Sequence, residues 1–123
     1  MAQPQEFDLE ERTVVFAEKI IDLVRSINCD AVNSRIINQL VGSSGSIGAN
    51  YCEATEAESK KDFIHKIGIA KKETKETRHW LRLLARANKE RKEEIRILWK
   101  EAQELLLIFS KIIRSSKAKV IDN

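Results

Sequence analysis

Apolar residues recur at alternating steps of three and four along most of this 123-residue chain. This spacing places them on one side of an α-helix, whereas a strand would need alternation at every second position. Four such stripes can be read, and they begin near Leu9, Ile36, Phe63 and Ile95. One proline and four glycines leave few places where a helix must stop. The pattern therefore predicts an all-α protein.

Polar breaks between the stripes set the predicted boundaries. Asp30 and Ser59 are suited to cap the second and third helices, and a polar turn ends the third. Because connections this short force neighbouring helices to run antiparallel, we predict an antiparallel up-down-up-down four-helix bundle. The predicted division is a flexible N-terminus over 1–7, one bundle domain over 8–115 with helices over about 8–28, 31–58, 60–88 and 92–115, and a flexible tail over 116–123.

Composition excludes several classes of protein. No run approaches the roughly 20 apolar residues that a membrane span needs, and the N-terminus lacks a signal sequence. We therefore expect a cytoplasmic protein without membrane contact. Cys29 and Cys52 lack the paired spacing of a metal or redox motif, so we expect reduced thiols that are buried or half-buried.

The apolar arcs are wider than one bundle core requires. Ile69 and Trp80 flank the third stripe, while Trp99, Leu106 and Ile113 form a second row on the fourth predicted helix. Surplus apolar surface of this kind indicates a partner.

Charge is distributed unevenly behind a formal net charge of +3. Residues 1–29 and 30–58 each carry a net charge of −3, whereas residues 59–92 hold twelve cations and four anions. Within this basic segment six cations recur at steps of three and four, and we call them the basic ridge. The basic ridge consists of Lys71, Lys75, Arg78, Arg82, Arg86 and Lys89.

The basic ridge would run for roughly 27 Å at about 1.5 Å per residue, long enough to follow several phosphates of a nucleic acid. The alternative is an ordinary solvated helix face, with Glu73 and Glu76 forming local ion pairs. Mutual repulsion of the cations and the scarcity of glutamate favour the binding interpretation, which would give affinity without sequence reading.

The segment Gly42–Gly48 invites comparison with a phosphate-binding loop, but it lacks the lysine and hydroxyl that such a loop needs after its last glycine. We place it inside the second helix, where each glycine costs up to about 1 kcal/mol relative to alanine. Close approach of another helix or subunit would offset this cost, with Ser43, Ser46 and Asn50 available for hydrogen bonds. A kinked or interrupted helix is the alternative.

An enzyme is not expected. His65 and His79 lie roughly 21 Å apart along one helix at about 1.5 Å per residue, so they cannot share a metal. Glu53, Glu56 and Asp62 lack the Glu-x-x-His pattern of di-iron bundles. We predict no catalytic residues, no metal and no cofactor, and a metal-dependent nuclease is the least implausible enzymatic alternative.

A long ordered motif in the middle of the chain carries a family resemblance. It comprises Ser46-Ile-Gly-Ala-Asn-Tyr51, Glu53-Ala54, Glu56-Ala57, Ser59, Asp62-Phe-Ile-His-Lys66, Ile69-Ala70, Lys72-Glu73, Glu76-Thr77 and Trp80-Leu81. The chain resembles the four-helix-bundle family of 23S ribosomal RNA intervening-sequence proteins. The resemblance spans nearly the whole chain and is densest from Ile37 to Leu84.

This resemblance implies a bacterial homopentamer whose gene, in some bacteria, sits within an insertion in the large ribosomal RNA gene. The family is similar in fold to the accessory variability protein of diversity-generating retroelements, a basic pentameric barrel that associates with a reverse transcriptase and nucleic acid. No catalytic residues come with the family, and its biochemical role is poorly defined.

Two functional hypotheses follow. The first is a non-catalytic ring that binds RNA or other nucleic acid through the basic ridge, and the second is a scaffold that docks an acidic partner protein. We expect Glu53 to meet a cation of the third helix, in its own or a neighbouring subunit. The residues predicted to serve the oligomer interface or its packing are Gly42, Ser46, Gly48, Asn50, Tyr51, Glu53 and Trp80.

Overall fold

The computed structural model describes residues 8–122, with side chains described from 8 to 118. This part of the chain forms four α-helices and one short 3₁₀ turn, and it contains no strand. The helices are α1 (Leu9–Arg25), α2 (Ala31–Thr55), α3 (Lys60–Ala87) and α4 (Lys92–Asp122), with the 3₁₀ turn Lys89–Arg91 between α3 and α4. The predicted all-α class is confirmed.

Side-chain caps start the first three helices. Asp8 accepts a hydrogen bond from the backbone N–H of Glu11 at 3.0 Å. Asp30 and Ser59, both expected as caps, accept bonds from the N–H groups of residues 33 and 62 at 2.8 and 3.0 Å. Each cap satisfies an N–H that has no partner within its helix, which explains why the helices begin at these residues.

The helix ends differ somewhat from the expected positions. α1 ends at Arg25 because the backbone N–H and hydroxyl of Ser26 both bond to the carbonyl of Leu23 and close the last turn. α2 ends at Thr55, where tighter bonds from the next two N–H groups to Glu53 and Ala54 replace the helical pattern. α4 continues to Asp122, since no glycine or proline follows Ile113. The predicted N-terminus 1–7 lies outside the described residues.

Side-chain contacts show that the neighbouring helices run antiparallel. At one end of the α1–α4 pair, Arg12 bonds to Glu101 and Glu104, and at the other end Arg91 bonds to Ser26. Helices α2 and α3 are also antiparallel, since side chains pair in reverse order along them: Asn33 with Asn88, Ser43 with Thr77, and Glu53 with Lys66. Each helix packs against its two neighbours, so α1 lies diagonally across the bundle from α3. The predicted antiparallel four-helix bundle is therefore confirmed.

Buried side chains from all four helices form one core. The largest of them include Phe16 of α1, Ile47 of α2, Leu81 of α3 and Phe109 of α4, each at most 1% exposed. Between α2 and α3 the core also contains small polar groups, and the hydroxyl of Thr77 donates to that of Ser43 at 2.9 Å. This buried hydrogen bond joins α2 to α3 within the core.

The glycine-rich segment lies inside α2, as predicted, and its two sides have different surroundings. A Cβ atom added at Gly48 would lie 2.9 Å from Oγ1 of Thr13, whereas Gly42 and Gly45 have nothing within 4 Å. Ser43 and Ser44 are buried, while Gly42 and Gly45 are exposed. One side of the segment therefore serves packing within the chain, and the other remains open.

Gly48→Ala is expected to lower the free energy of unfolding by about 1 to 2 kcal/mol. Overpacking typically costs about 1 to 3 kcal/mol and exceeds the helix-propensity gain of up to about 1 kcal/mol. Relief by rotation is restricted because Thr13 is 1% exposed and its hydroxyl donates to the carbonyl of Glu10 at 2.7 Å. Urea unfolding followed by circular dichroism measures the change. Gly45→Ala is the control and should stabilise the protein; equal stabilisation by both changes would contradict the close contact.

Candidate nucleic-acid interface

The basic ridge occupies the solvent side of α3 and continues into the 3₁₀ turn. Lys75, Arg82, Arg86 and Lys89 are exposed, and Lys71 is half-buried. Within residues 8–118, none of the six ridge cations forms an ion pair. Their charges are therefore not neutralised locally and remain available to an anion.

Arg78 differs from the other members of the basic ridge. Its side chain is half-buried, with the guanidinium carbon 5.6 Å from the centre of the Trp99 ring. The guanidinium also donates to the side-chain carbonyl of Gln103 on α4. Arg78 thus joins α3 to α4 by a cation–π contact and a hydrogen bond, and it contributes positive charge to the surface from a fixed position.

Helix α4 adds cations that lie outside the basic ridge. Lys92 and Arg96 are exposed and line a groove between α3 and α4 together with Arg82. A pattern in the sequence could have revealed them, because Lys92, Arg96 and Lys100 follow one another at steps of four along one side of α4. The basic surface therefore spans two helices and is wider than the basic ridge alone.

The glutamates of α3 do not neutralise the basic ridge. Glu73 and Glu76 form no ion pair in the part of the chain with described side chains. Burial, together with the negative charge of Glu76, raises the pKa of Glu73 above its ordinary value. An ordinary solvated helix face would use these two glutamates in local ion pairs with the ridge cations, and such ion pairs are absent among the described side chains.

Four of the residues predicted for the interface or its packing lie on the glycine-rich part of α2. Gly42 is exposed, and Ser46 and Asn50 are half-buried, with the side-chain N–H of Asn50 donating to the carbonyl of Ser46 at 2.9 Å. Gly48 faces Thr13 of its own chain. These side chains show local bonding and packing, and their role between subunits stays a prediction.

The remaining residues of that set have identifiable neighbours. Glu53 pairs with Lys66 of α3 at 2.6 Å, which confirms the expected cation from the third helix and places it in the same chain. The Glu53 carboxylate is 59% exposed, so the pair is a surface contact. Trp80 is half-buried, and its indole packs edge-on against His79 with 4.9 Å between ring centres.

Tyr51 packs toward the core, with its ring centre 6.3 Å from that of Phe109. Burial, and then the negative charges of Glu10 and Asp8, raise the pKa of Tyr51 above 10.0. The phenol therefore ionises less readily in the folded than in the unfolded state, so this group's contribution to stability is lost as the pH rises above about 10.

Tyr51→Phe is expected to preserve the packing and to flatten the loss of stability above pH 10. Melting temperatures of the two proteins at increasing pH would measure this difference. Cys52, whose pKa burial and Glu10 also raise, stays unchanged in both proteins and contributes equally to both profiles. Parallel profiles for the variant and the native protein would contradict the assignment.

Other candidate groups do not assemble into a site. His65, His79 and Cys29 are exposed and Cys52 is half-buried, so the expectation of a buried or half-buried thiol is wrong for Cys29, which lies in the loop before α2. Across residues 8–118, no three His, Cys, Asp or Glu side chains lie close enough to hold a metal ion.

None of the helices between residues 8 and 122 has a stretch long and apolar enough to cross a membrane.

The chain matches a known protein family. Residues 5–111 match the family model described as 23S rRNA-intervening sequence protein. The chain belongs to this family. The match covers all of α1, α2 and α3 and most of α4, which confirms the family resemblance over residues 5–111.

A solved structure related to this member of the 23S rRNA-intervening sequence protein family has a similar fold. It is a protein with unknown function from the S23 ribosomal protein family of Bacteroides thetaiotaomicron VPI-5482. The two chains are 33% identical and superpose with a TM-score of 0.73, over 85% of this chain and 96% of the other. A search of proteins with curated descriptions found no match.

Proposed function

We propose that this 23S rRNA-intervening sequence protein is a non-catalytic homo-oligomer that binds RNA or other nucleic acid through the basic surface of α3 and α4. The observation that carries the proposal is the unneutralised basic ridge, extended sideways by Lys92 and Arg96. The family description, which names an intervening sequence of 23S rRNA, is consistent with an RNA ligand.

Phosphate is the ligand group that suits this surface best. Cations at steps of three and four repel one another, so a polyanion that follows them relieves the repulsion and releases its own counterions. Arg82 and Arg86 are exposed and carry planar guanidinium groups, which bind phosphate oxygens in pairs. Phosphate contacts of this kind position a nucleic acid on the protein but do not recognise its sequence.

Oligomer formation is supported by apolar surface away from the basic ridge. Val24, Ile27, Ile37 and Val41 line a groove between α1 and α2, and Val41 is 38% exposed. On α1, Val14 and Ile21 are 42% and 41% exposed and lie two turns apart on the same side. A second copy would cover this surface, and a pentameric ring, as the family resemblance implies, would repeat the basic surface around its axis.

Binding of purified protein to RNA across a range of salt concentrations tests the nucleic-acid proposal. The affinity should fall steeply with salt, with a slope on the logarithmic plot of about 0.7 to 0.9 per phosphate contact. Light scattering at the same concentrations measures the oligomer. Salt-independent binding, or none, would overturn the proposal. A protein partner captured from bacterial extract after nuclease treatment would then favour docking of an acidic protein.

A further inference from the structure

Each of the two grooves beside α3 contains one tryptophan. Trp80 of α3 lines a groove against α2, and Trp99 of α4 lines the groove between α3 and α4. Both side chains are half-buried, and both indole Nε1 atoms are buried without a hydrogen-bond partner among the described side chains and backbone. A buried donor without a partner costs free energy.

The groove beside Trp99, which we call the Trp99 groove, combines an apolar floor with a basic edge. Its volume is about 290 Å³, and its apolar part is formed by Leu81, Ala85, Ile95 and Trp99. Arg82, Lys92 and Arg96 supply three cations, none of which forms an ion pair within residues 8–118. An apolar, aromatic recess bordered by cations suits a flat group attached to a phosphate.

Trp99 is held in place by residues outside the groove. The guanidinium of Arg78 lies 5.6 Å from its ring centre and is itself bonded to Gln103. An aromatic ring that is fixed before binding loses little conformational entropy when a ligand packs against it. The groove is therefore prepared for a planar ligand.

The groove beside Trp80, the Trp80 groove, provides an internal comparison. It contains a tryptophan with the same unpartnered Nε1, but Arg35 is the one cation among its lining residues, which are otherwise Ile36, Asn38, Gln39 and Trp80. The two grooves thus share their aromatic residue type and differ in charge. A ligand that needs both a planar recess and phosphate contacts distinguishes between them.

We propose that the Trp99 groove accepts an unpaired base of the bound RNA, while Arg82, Lys92 and Arg96 hold the adjacent phosphates. This inference rests on the proposed nucleic-acid function and specifies the form of the ligand. Bases present a flat apolar face, so any base packs against an aromatic side chain. Paired bases are already stacked within a duplex and do not enter the groove.

Three anionic probes separate base capture from attraction to phosphate. They are inorganic polyphosphate, which has no bases, a fully paired RNA duplex, and an adenine-rich single-stranded RNA. The native protein should bind the single strand about tenfold more tightly than polyphosphate of equal charge, since stacking of one base contributes about this factor. The duplex should resemble polyphosphate.

Two substitutions test the groove itself. Trp99→Leu removes the aromatic face, and Ala85→Leu fills the groove while keeping Trp99 and every cation. Both should remove the preference for the single strand, and Ala85→Leu, which keeps the contact between Trp99 and Arg78, should also leave binding of polyphosphate unchanged. Trp80→Leu is the matched control and should retain the preference. The readout is a ratio of affinities, with light scattering to compare the assembly of the variants and circular dichroism to verify the fold.

Fluorescence gives a second measurement that does not depend on removing Trp99. In a Trp80→Phe protein the emission comes from Trp99, and the single strand should quench it more than polyphosphate does. Equal affinities for all three probes, equal quenching, or an unchanged preference in Ala85→Leu would overturn base capture while leaving the proposed function standing. Failure to bind any probe would overturn both, and a preference for an acidic peptide over all three would favour a protein partner.

Discussion

Reversing two exposed charges of the basic ridge, Lys75→Glu with Arg86→Glu, is expected to weaken RNA binding on the order of a hundredfold near physiological salt. Both side chains are exposed and lie outside the lining of the Trp99 groove. Each change removes one phosphate contact and adds a repulsive charge, so the salt slope should also fall by about 1.5. Affinity measured at several salt concentrations gives both quantities.

The matched control carries the same two types of change on the opposite helix. Lys19→Glu with Arg25→Glu alters the net charge equally, but both residues are exposed on α1, diagonally across the bundle from α3. This variant should keep nearly all of its affinity, because screening over about 8 to 10 Å limits the effect of remote charges. Equal losses in the two variants would indicate a response to net charge and contradict a localised interface.

Arg78 differs from Lys75 and Arg86 in that it also has a structural role. Its guanidinium contacts Trp99 and Gln103, so a reversal there would disturb the packing of α3 against α4 as well as the surface charge. The sequence placed Arg78 among equivalent cations of the basic ridge. The structure separates its roles, which makes a loss of binding in an Arg78 variant ambiguous.

Asn33→Ala is expected to lower the free energy of unfolding by about 3 kcal/mol, the largest stability effect predicted for one substitution. Asn33 and Asn88 are 2% and 5% exposed, and each amide N–H donates to the other's carbonyl, at 3.0 and 2.8 Å. Asn33 also donates to the backbone carbonyl of Asn28 at 2.9 Å. Removing it leaves the buried side-chain carbonyl of Asn88 without its donor and takes away one acceptor of the Asn88 amide, which keeps its bond to the carbonyl of Leu84 at 3.0 Å. A buried group left unpaired costs about 1 to 3 kcal/mol.

Thermal and urea unfolding would measure the loss, and a decrease in melting temperature of roughly 10 °C is expected for a protein of this size. Asn38→Ala is the control, since Asn38 is exposed on the same helix and should change stability by less than about 0.5 kcal/mol. Replacing both Asn33 and Asn88 by leucine should recover part of the loss, because neither amide then lacks its partner. Similar losses for Asn33 and Asn38 would refute the buried pair.

The helices and most of their starting points could be predicted from sequence because they depend on neighbours in the chain. Asp30 and Ser59 bond to N–H groups three residues ahead, and apolar spacing within each segment reveals its buried side. The helix ends were less predictable. Ser26 ends α1 by a bond that competes with continuation of the helix, and α4 passes its last predicted residue because nothing stops it.

The candidate site was predictable in part for the same reason. Cations at steps of three and four on α3 must share one side of that helix, and their exposure agrees with this. The contribution of Lys92 and Arg96 was not foreseen, since it depends on how α4 packs beside α3. Spacing within one helix contains no information about the rotation of the next.

The sequence by itself determined the number of helices and the concentration of positive charge on α3, because residue spacing and helix caps depend on neighbours in the chain, and its long motif from Ser46 to Leu81 carried the family resemblance. Tertiary structure alone decided which cations remain free, which side of the glycine-rich segment faces α1, and where Trp99 meets Arg78. Those outcomes depend on contacts between residues far apart in the chain. Such contacts form only once the faces of the helices are matched in the packed bundle.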